Sequence, residues 1–92
     1  MSLAASDFVV EVEIDAESLS VDRLKEELAS ALKKVACSHY VNVRVTDYKL
    51  IAEIARFVSL RKAAVDTVLR KGASEWIVMI KNEVPVAQLD RA

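Results

Sequence analysis

The strongest structural signal in the chain lies in residues 50–80, which read LIAEIARFVSLRKAAVDTVLRKGASEWIVMI. The segment begins with apolar residues at helical spacing up to Val58, which predicts an amphipathic helix. It ends with the longest apolar run of the chain, residues 76–80, which predicts a buried strand. Between the two lies a basic, alanine-rich part that is followed by Gly72, the only glycine of the chain.

This middle part, residues 60–71, is compatible with two structures. Its apolar residues continue at helical spacing, with Ser59 available as a helix cap and Gly72 as a stop. Alternatively, residues 65–70 form a strand, and Lys71-Gly72 turns the chain into the last strand. Helix propensity favours the first structure, whereas a four-stranded sheet with a better-covered core favours the second. We expect the helix and keep the strand as the alternative.

The first half of the chain predicts a strand, a helix and a second strand. Residues 8–14 and 40–46 alternate between apolar and polar side chains, which is the period of a strand with one buried face. Residues 20–36 show an apolar stripe at helical spacing, with Ser20 as the N-cap, and Asp47 can cap the next helix. We therefore expect an α+β fold, a two-layer sandwich of order β-α-β-α-(α or β)-β, with helices on one face of a mixed sheet.

The last strand differs from the first two because both of its faces are apolar. Trp76, Val78 and Ile80 form one face, and Ile77 and Met79 form the other. Such a strand is either central and covered on both sides, or it turns its second face to a partner. We predict a non-enzymatic binding or assembly module that self-associates through Ile77, Met79 and the second helical segment, with a homodimer as the simplest assembly.

Five basic residues support an alternative function, the weak binding of RNA or DNA through phosphates. They are Arg56, Arg61, Lys62, Arg70 and Lys71. On one continuous helix Arg56 and Arg70 share a face, but Arg61 and Lys62 lie away from it. Aromatic residues that would stack on bases are also missing from the set. A solvated surface of mixed charge is therefore favoured over a nucleic-acid interface.

Composition limits the remaining functions. Of the 92 residues, 53% are hydrophobic and 29% charged, which suits one domain, expected over residues 1–83 with a tail of residues 84–92. No apolar run is long enough to span a bilayer, and the single cysteine fits a reducing cytoplasm. One glycine excludes a phosphate-binding loop, and one histidine with one cysteine cannot form a usual zinc site, so we expect neither cofactor nor metal.

Two groups of residues have the chemistry of catalysis, and we assign both to structure. Cys37 and His39 are two residues apart, but catalytic pairs normally come from distant parts of the chain, so we expect a buried cysteine and a loop histidine. Glu11 and Glu13 share a strand face, where we expect a cross-strand ion pair with Arg44 rather than acid–base chemistry. We therefore expect no enzyme activity.

Parts of residues 51–80 resemble a known family. In apolar spacing, Ala55-Arg56-Phe57-Val58, Lys62-Ala63-Ala64-Val65-Asp66 and Trp76-Ile77-Val78-Met79-Ile80 are similar to the C-terminal part of the YggU-like family of small uncharacterised proteins. The resemblance implies a strand at residues 65–70, and the family supplies no biochemical activity to transfer. Val45-Thr46-Asp47-Tyr48 stands where the family has Gly-Lys-Ala-Asn, so no functional residue is transferred.

The expected order of elements also resembles the TusA sulfur carriers, Alba and the C-terminal domain of bacterial translation initiation factor 3. The cysteine-proline motif that opens the first helix of TusA proteins is replaced here by Ser20-Val21-Asp22, so sulfur transfer is not implied. Residues 85–92 resemble peptides that arise when a bacterial reading frame runs into a tRNA gene, which implies a small bacterial protein. An ordinary short tail is the alternative.

Overall fold

The structure, a computed structural model, describes residues 8–83 and confirms the α+β fold. Two helices pack on one face of a four-stranded mixed sheet. The elements in chain order are β1 (Val10–Asp15), α1 (Val21–Lys34), β2 (Tyr40–Val45), α2 (Lys49–Ser59), β3 (Ala63–Gly72) and β4 (Glu75–Asn82), with a short 3-10 turn, Ala16–Ser18, after β1. The predicted tail, residues 84–92, lies outside the described residues.

The sheet has the strand order β1-β2-β4-β3. β2 is parallel to β1, as expected for two strands that are joined by a helix. β4 lies between β2 and β3 and is antiparallel to both. The strand with two apolar faces is therefore central in the sheet, and β1 and β3 are the two edges.

Both helices begin close to the predicted positions. Ser20 Oγ accepts a hydrogen bond from the Arg23 amide (3.1 Å), which satisfies one of the amides that a helix N-terminus leaves unpaired. α1 then buries Leu24, Leu28 and Leu32 of the predicted apolar stripe, whereas Val21 is exposed, and the helix ends where Val35 becomes extended. At the start of α2, Asp47 Oδ1 accepts the Lys49 amide (3.0 Å), although Tyr48 directly precedes the helix.

The core lies between the helices and the inner face of the sheet. Val41 and Val43 of β2 are fully buried and lie opposite Ile80 and Val78 of β4. The helices complete this layer with Leu24, Leu28, Ile54 and Val58. Burial of one such side chain is worth about 1.5–3 kcal/mol, so this layer holds the two helices on the sheet.

Our expectation of a helix over residues 60–71 is wrong, and the strand alternative is confirmed. The chain leaves α2 at Lys62, whose φ of 58° lies in the left-handed region and cannot continue a right-handed helix. β3 then pairs with β4 and buries Ala63. This pairing outweighs helix propensity, because propensity differs between ordinary residues by only about 0.7 kcal/mol or less.

The predicted role of Gly72 is also wrong. Gly72 is the last residue of β3 and pairs with Glu75, so the turn falls at residues 73–74. Its φ is not positive, and the left-handed conformation that ends α2 belongs to Lys62 instead. The residue that permits the change from helix to strand is therefore a lysine, which the sequence alone does not reveal.

Candidate functional site

The candidate site is the open face of the sheet, which neither helix covers. Side chains on this face alternate with the core residues, so β4 contributes Ile77 and Met79 to it. Leu69 of β3 lies opposite Ile77 and is 45% exposed. Met79 is only 8% exposed and lies next to them. We call Leu69, Ile77 and Met79 the apolar patch.

An ion-pair cluster borders the apolar patch at the end of β2. Arg44 Nε donates to Glu75 Oε2 (2.7 Å). One terminal nitrogen of Arg44 donates to Asp15 Oδ1 (3.0 Å) and to Glu17 Oε1 (2.9 Å). Hydrogen bonds to these carboxylates raise the pKa of Arg44, so the guanidinium stays charged. The cluster joins β2 to both of its neighbouring strands.

Arg44 thus pairs with carboxylates other than the predicted Glu11 and Glu13. The reason is the parallel register, which places Asp15 opposite Arg44 and Glu13 opposite Asn42. Glu11 acts elsewhere on β1, where its Oε2 accepts a hydrogen bond from the Ala36 amide (3.1 Å) and bonds to His39 Nδ1. The bond with His39 and then the bond with the Ala36 amide lower the pKa of Glu11.

Cys37 and His39 have separate partners within residues 8–83. The His39 ring bonds to Glu11, as described above, and the sulfur of Cys37 lies 3.9 Å from Ser38 Oγ. Cys37 is partly buried and forms no disulfide. This geometry connects the turn between α1 and β2 to β1, and it does not align the thiol with the imidazole as a nucleophile and its base.

Polar groups complete the open face next to the apolar patch. The hydroxyl group of Tyr40 donates to Asp66 Oδ2 (2.9 Å), and the ring of Tyr40 lies 5.5 Å from that of Phe8. Asn42 lies opposite Met79, and its Oδ1 is buried without a hydrogen-bond donor among the described residues. A buried acceptor left in this state costs about 1–3 kcal/mol.

A cleft of about 520 Å³ crosses the open face. Glu13 and Asp15 line it on the β1 side, and Leu69 and Lys71 line it on the β3 side. Ile77 lies between these two sides. The open face is therefore acidic along one edge, apolar in the middle and basic at the far end of the other edge.

Ile77 and Met79 are predicted from the sequence as residues of a self-association surface, whereas Leu69 and Asn42 are not. In a strand, Leu69 lies on the same face as Thr67 and Lys71. This spacing predicts its position on the open face only if residues 63–72 are interpreted as a strand. Nothing in the sequence marks Asn42, because its unpaired oxygen results from the register of three neighbouring strands.

The five basic residues of the nucleic-acid hypothesis do not lie together. Arg61 and Lys62 precede β3, and Arg70 and Lys71 lie near its other end. Nine residues of extended chain separate Lys62 from Lys71, a distance of about 30 Å. Arg56 lies on α2, in the helix layer. The set therefore forms two separate pairs and one isolated arginine.

Two of these arginines are also engaged within the chain. The guanidinium of Arg61 stacks on the Phe57 ring, 3.9 Å from its centroid, and donates to the Phe57 carbonyl (3.4 Å). Arg70 Nε donates to the Gly72 carbonyl (3.0 Å) at the turn. Both guanidinium groups keep further donors, but their positions are set by these local contacts.

Neither metal binding nor membrane crossing finds support in the described part of the chain. Among residues 8–83, no three His, Cys, Asp or Glu side chains are grouped to hold a metal ion, and no helix is long and apolar enough to span a membrane. The sequence matches no protein-family model, and a search of curated proteins gives no match.

Proposed function

We propose that the protein is a non-enzymatic assembly module that forms a homodimer through the open face of its sheet. The observation that carries this proposal is the apolar patch on a face that neither helix covers. Removing apolar surface from water is favourable by about 25 cal/mol per Å². We also propose a cytoplasmic location, which the free cysteine supports.

The charge distribution of the open face favours one arrangement of the two copies. A twofold axis parallel to the strands, placed between β2 and β4, puts β1 of one copy over β3 of the other. Lys71 of each copy then approaches the acidic end of the partner's β1 near Asp15 and Glu17. A twofold axis across the strands would instead place β1 on β1 and bring carboxylates together. The first arrangement also places Ile77 and Met79 of both copies beside the axis, whereas Leu69 lies over the partner's β1.

The size of the face predicts a dimer that dissociates on dilution. Four strands at about 4.8 Å spacing and about 3.3 Å per residue along β4 give a face of roughly 500 Å² per copy. The total of about 1,000 Å² is at the lower limit for specific protein interfaces. We therefore expect a concentration-dependent equilibrium between monomer and dimer, rather than an obligate dimer.

Sedimentation velocity on two matched variants tests the proposal. Leu69 and Val68 are adjacent in β3, are 45% and 38% exposed, and point to opposite faces, since Val68 lies opposite the core residue Val78. We expect Leu69→Glu to shift the equilibrium to monomer because it buries a charge in the interface. Val68→Glu should leave dimerisation unchanged. A wild-type protein that stays monomeric at high concentration, or equal behaviour of the two variants, would contradict the proposal.

The alternative function, nucleic-acid binding, has one observation in its favour. Residues 68–74 are all exposed and form the end of the β3–β4 hairpin, which carries Arg70 and Lys71. A labelled oligonucleotide titrated at low salt tests it, because contacts with phosphates give an affinity that falls steeply with salt. Binding that is weakened by Arg70→Ala with Lys71→Ala, but not by Arg56→Ala, would support this function. Absence of binding at low salt would end it.

A further inference from the structure

A cavity of about 560 Å³ lies between the last turn of α1, the segment after α2 and the end of β4. Small-molecule sites have volumes of roughly 300–1,000 Å³, so the cavity is large enough for a ligand. Leu32 and Val35 are buried and form an apolar wall, and Cys37 lies beside them. Leu60 lines the cavity as well and is 78% exposed, which is the surface that an apolar ligand would cover.

The cavity lies on the helix side of the sheet, away from the apolar patch. Asn82 lines it and follows Ile80 by two residues, so it shares the helix-covered face of β4. Asn82 is buried and its Nδ2 donates to the Val35 carbonyl (2.6 Å). This bond joins the end of β4 to the end of α1, so the two elements that form the back of the cavity are held together.

Three exposed cations surround the cavity. Lys33, Arg61 and Lys62 line it, and none of its other lining residues, all of which belong to the described part of the chain, is acidic. The ion pairs found within residues 8–83 involve other cations. The cavity therefore combines an apolar wall with a positively charged entrance.

Local contacts fix the segment that carries two of these cations. The Arg61 amide donates to the Val58 carbonyl (2.9 Å), and the Glu83 amide donates to the Lys62 carbonyl (3.0 Å). The side chain of Arg61 stacks on Phe57. Lys62 holds the left-handed conformation, which is unusual for a lysine and persists only where the surroundings impose it. The entrance is therefore arranged before any ligand arrives.

We propose that this cavity binds a small amphipathic anion with a single unbranched apolar chain and a carboxylate head group. The chain lies against Leu32, Val35 and Leu60, and the carboxylate accepts hydrogen bonds from Lys33, Arg61 or Lys62. Both parts of the ligand match the wall that they meet, because apolar surface is buried and a charged acceptor meets charged donors. The ligand enters as a free molecule from solution.

Decanoate is a suitable probe, and Cys37 provides a built-in reporter of its binding. In a titration of the full ¹⁵N-labelled chain, we expect saturable shifts of the Leu60, Arg61 and Cys37 amides with one ligand per chain. Bound decanoate should also slow the reaction of the Cys37 thiol with iodoacetamide. Decanol should bind about tenfold more weakly, since it lacks the charge that the three cations recognise. Equal affinity for decanol, or shifts confined to other regions, would overturn the proposal.

Two variants separate binding from folding. Lys62→Asn removes the charge but keeps a residue that tolerates the left-handed conformation, so we expect an unchanged melting temperature and weaker decanoate binding. Lys33→Gln, at an exposed helix position, serves the same purpose if the first variant does not fold. Lys49→Glu, at the start of α2, is the control with a distant charge. Unchanged affinity in both cavity variants would overturn the proposal.

Two other occupants are distinguished by further measurements. Vesicles that contain phosphatidylglycerol test a membrane surface, and binding to vesicles without binding to decanoate would overturn the proposal. A chain that ends at Glu83 tests whether residues 84–92 occupy the cavity. Faster iodoacetamide labelling of Cys37 in that shorter chain, with no protection by decanoate in the full chain, would also overturn it.

Discussion

The two faces of β4 are both apolar, but they have different surroundings. Val78 and Ile80 are fully buried against the helices, and the fold itself explains them. Ile77 and Met79 lie on the opposite face, next to the Arg44 ion-pair cluster and the cleft that crosses the open face. An antiparallel sheet with helices on one side usually has a polar second face. Met79 is already buried in the monomer, whereas Leu69 and the half-buried Ile77 expose more apolar surface than the fold requires.

This difference separates two roles along one strand. The helix-covered face supplies the stability of the monomer, because it buries apolar side chains of both helices and of all four strands. We propose that the open face supplies recognition, because its apolar patch is bordered by charges that would orient a partner. A substitution on one face should change one role and leave the other nearly unaffected.

The largest expected effect is a difference in the free energy of unfolding when leucine is replaced by alanine on the helix-covered side and on the open face. Leu28 is fully buried in α1, whereas Leu69 is 45% exposed on the open face. Leu28→Ala should lower the free energy of unfolding by about 2–5 kcal/mol, because it removes core contacts and leaves a cavity. Leu69→Ala should lower it by about 0.5 kcal/mol in dilute protein. Urea denaturation measures both.

The same two variants can be compared at low and at high protein concentration. Since a dimer stabilises the folded state by mass action, the loss caused by Leu69→Ala should grow as the protein concentration is raised. The loss caused by Leu28→Ala should not depend on concentration in this way. Losses of similar size for the two variants in dilute protein would show that the open face is as important for the fold as the core is.

Backbone strain next to β3 gives an effect of intermediate size. Lys62 has a φ of 58°, a left-handed backbone conformation that costs free energy for a residue with a side chain but not for glycine. Lys62→Gly should therefore raise the free energy of unfolding by about 1 kcal/mol. Lys71→Gly, in the extended part of the same strand, is the matched control and should lower it by about 0.5–1 kcal/mol. Thermal denaturation measures the stability of both variants. A Lys62→Gly protein that is less stable than the Lys71→Gly protein would contradict this account.

The acidic edge gives the smallest effect, which depends on pH. The bond with His39 holds the pKa of Glu11 below its usual value near 4.5. Because the pKa of Glu11 is lower in the folded than in the unfolded chain, ionised Glu11 stabilises the fold fully at a pH above its unfolded-state pKa. This contribution is lost as the pH falls through its folded-state pKa. Glu11→Gln should therefore flatten the fall in the urea midpoint between about pH 5 and about pH 3.

Glu13 is the matched control for this measurement. It lies two residues from Glu11 on β1, opposite Asn42, and takes no part in the His39 contact. Glu13→Gln should leave the pH profile closer to that of the wild type than Glu11→Gln does. The reverse order of the two variants would show that the bond between Glu11 and His39 does not connect β1 to the turn after α1.

Most of the fold could be predicted because its signals are local. The alternation in residues 8–14 and 40–46 and the helical stripe of α1 are each contained in a short segment. β3 could not be predicted in the same way, because its pairing with β4 competes with the helix propensity of an alanine-rich segment. The left-handed conformation of Lys62 carries no sequence signal either.

The site was predictable only where alternation alone defines it. Ile77 and Met79 follow from the two apolar faces of β4, but the partners of Arg44 depend on the register between β1 and β2. The cavity behind Leu60 needs residues from α1, the segment after α2 and the end of β4. These residues are distant in the sequence, and only packing brings them together.

The most direct test of the account is a measurement of which methyl groups lie between two copies of the chain. Isotope-filtered NOE spectra of ¹³C-labelled protein mixed with unlabelled protein detect contacts between copies only. The account predicts such contacts from the methyl groups of Leu69, Ile77 and Met79 in concentrated protein. Contacts between copies that come from the helix layer, such as from Leu60, with none from the apolar patch, would contradict it.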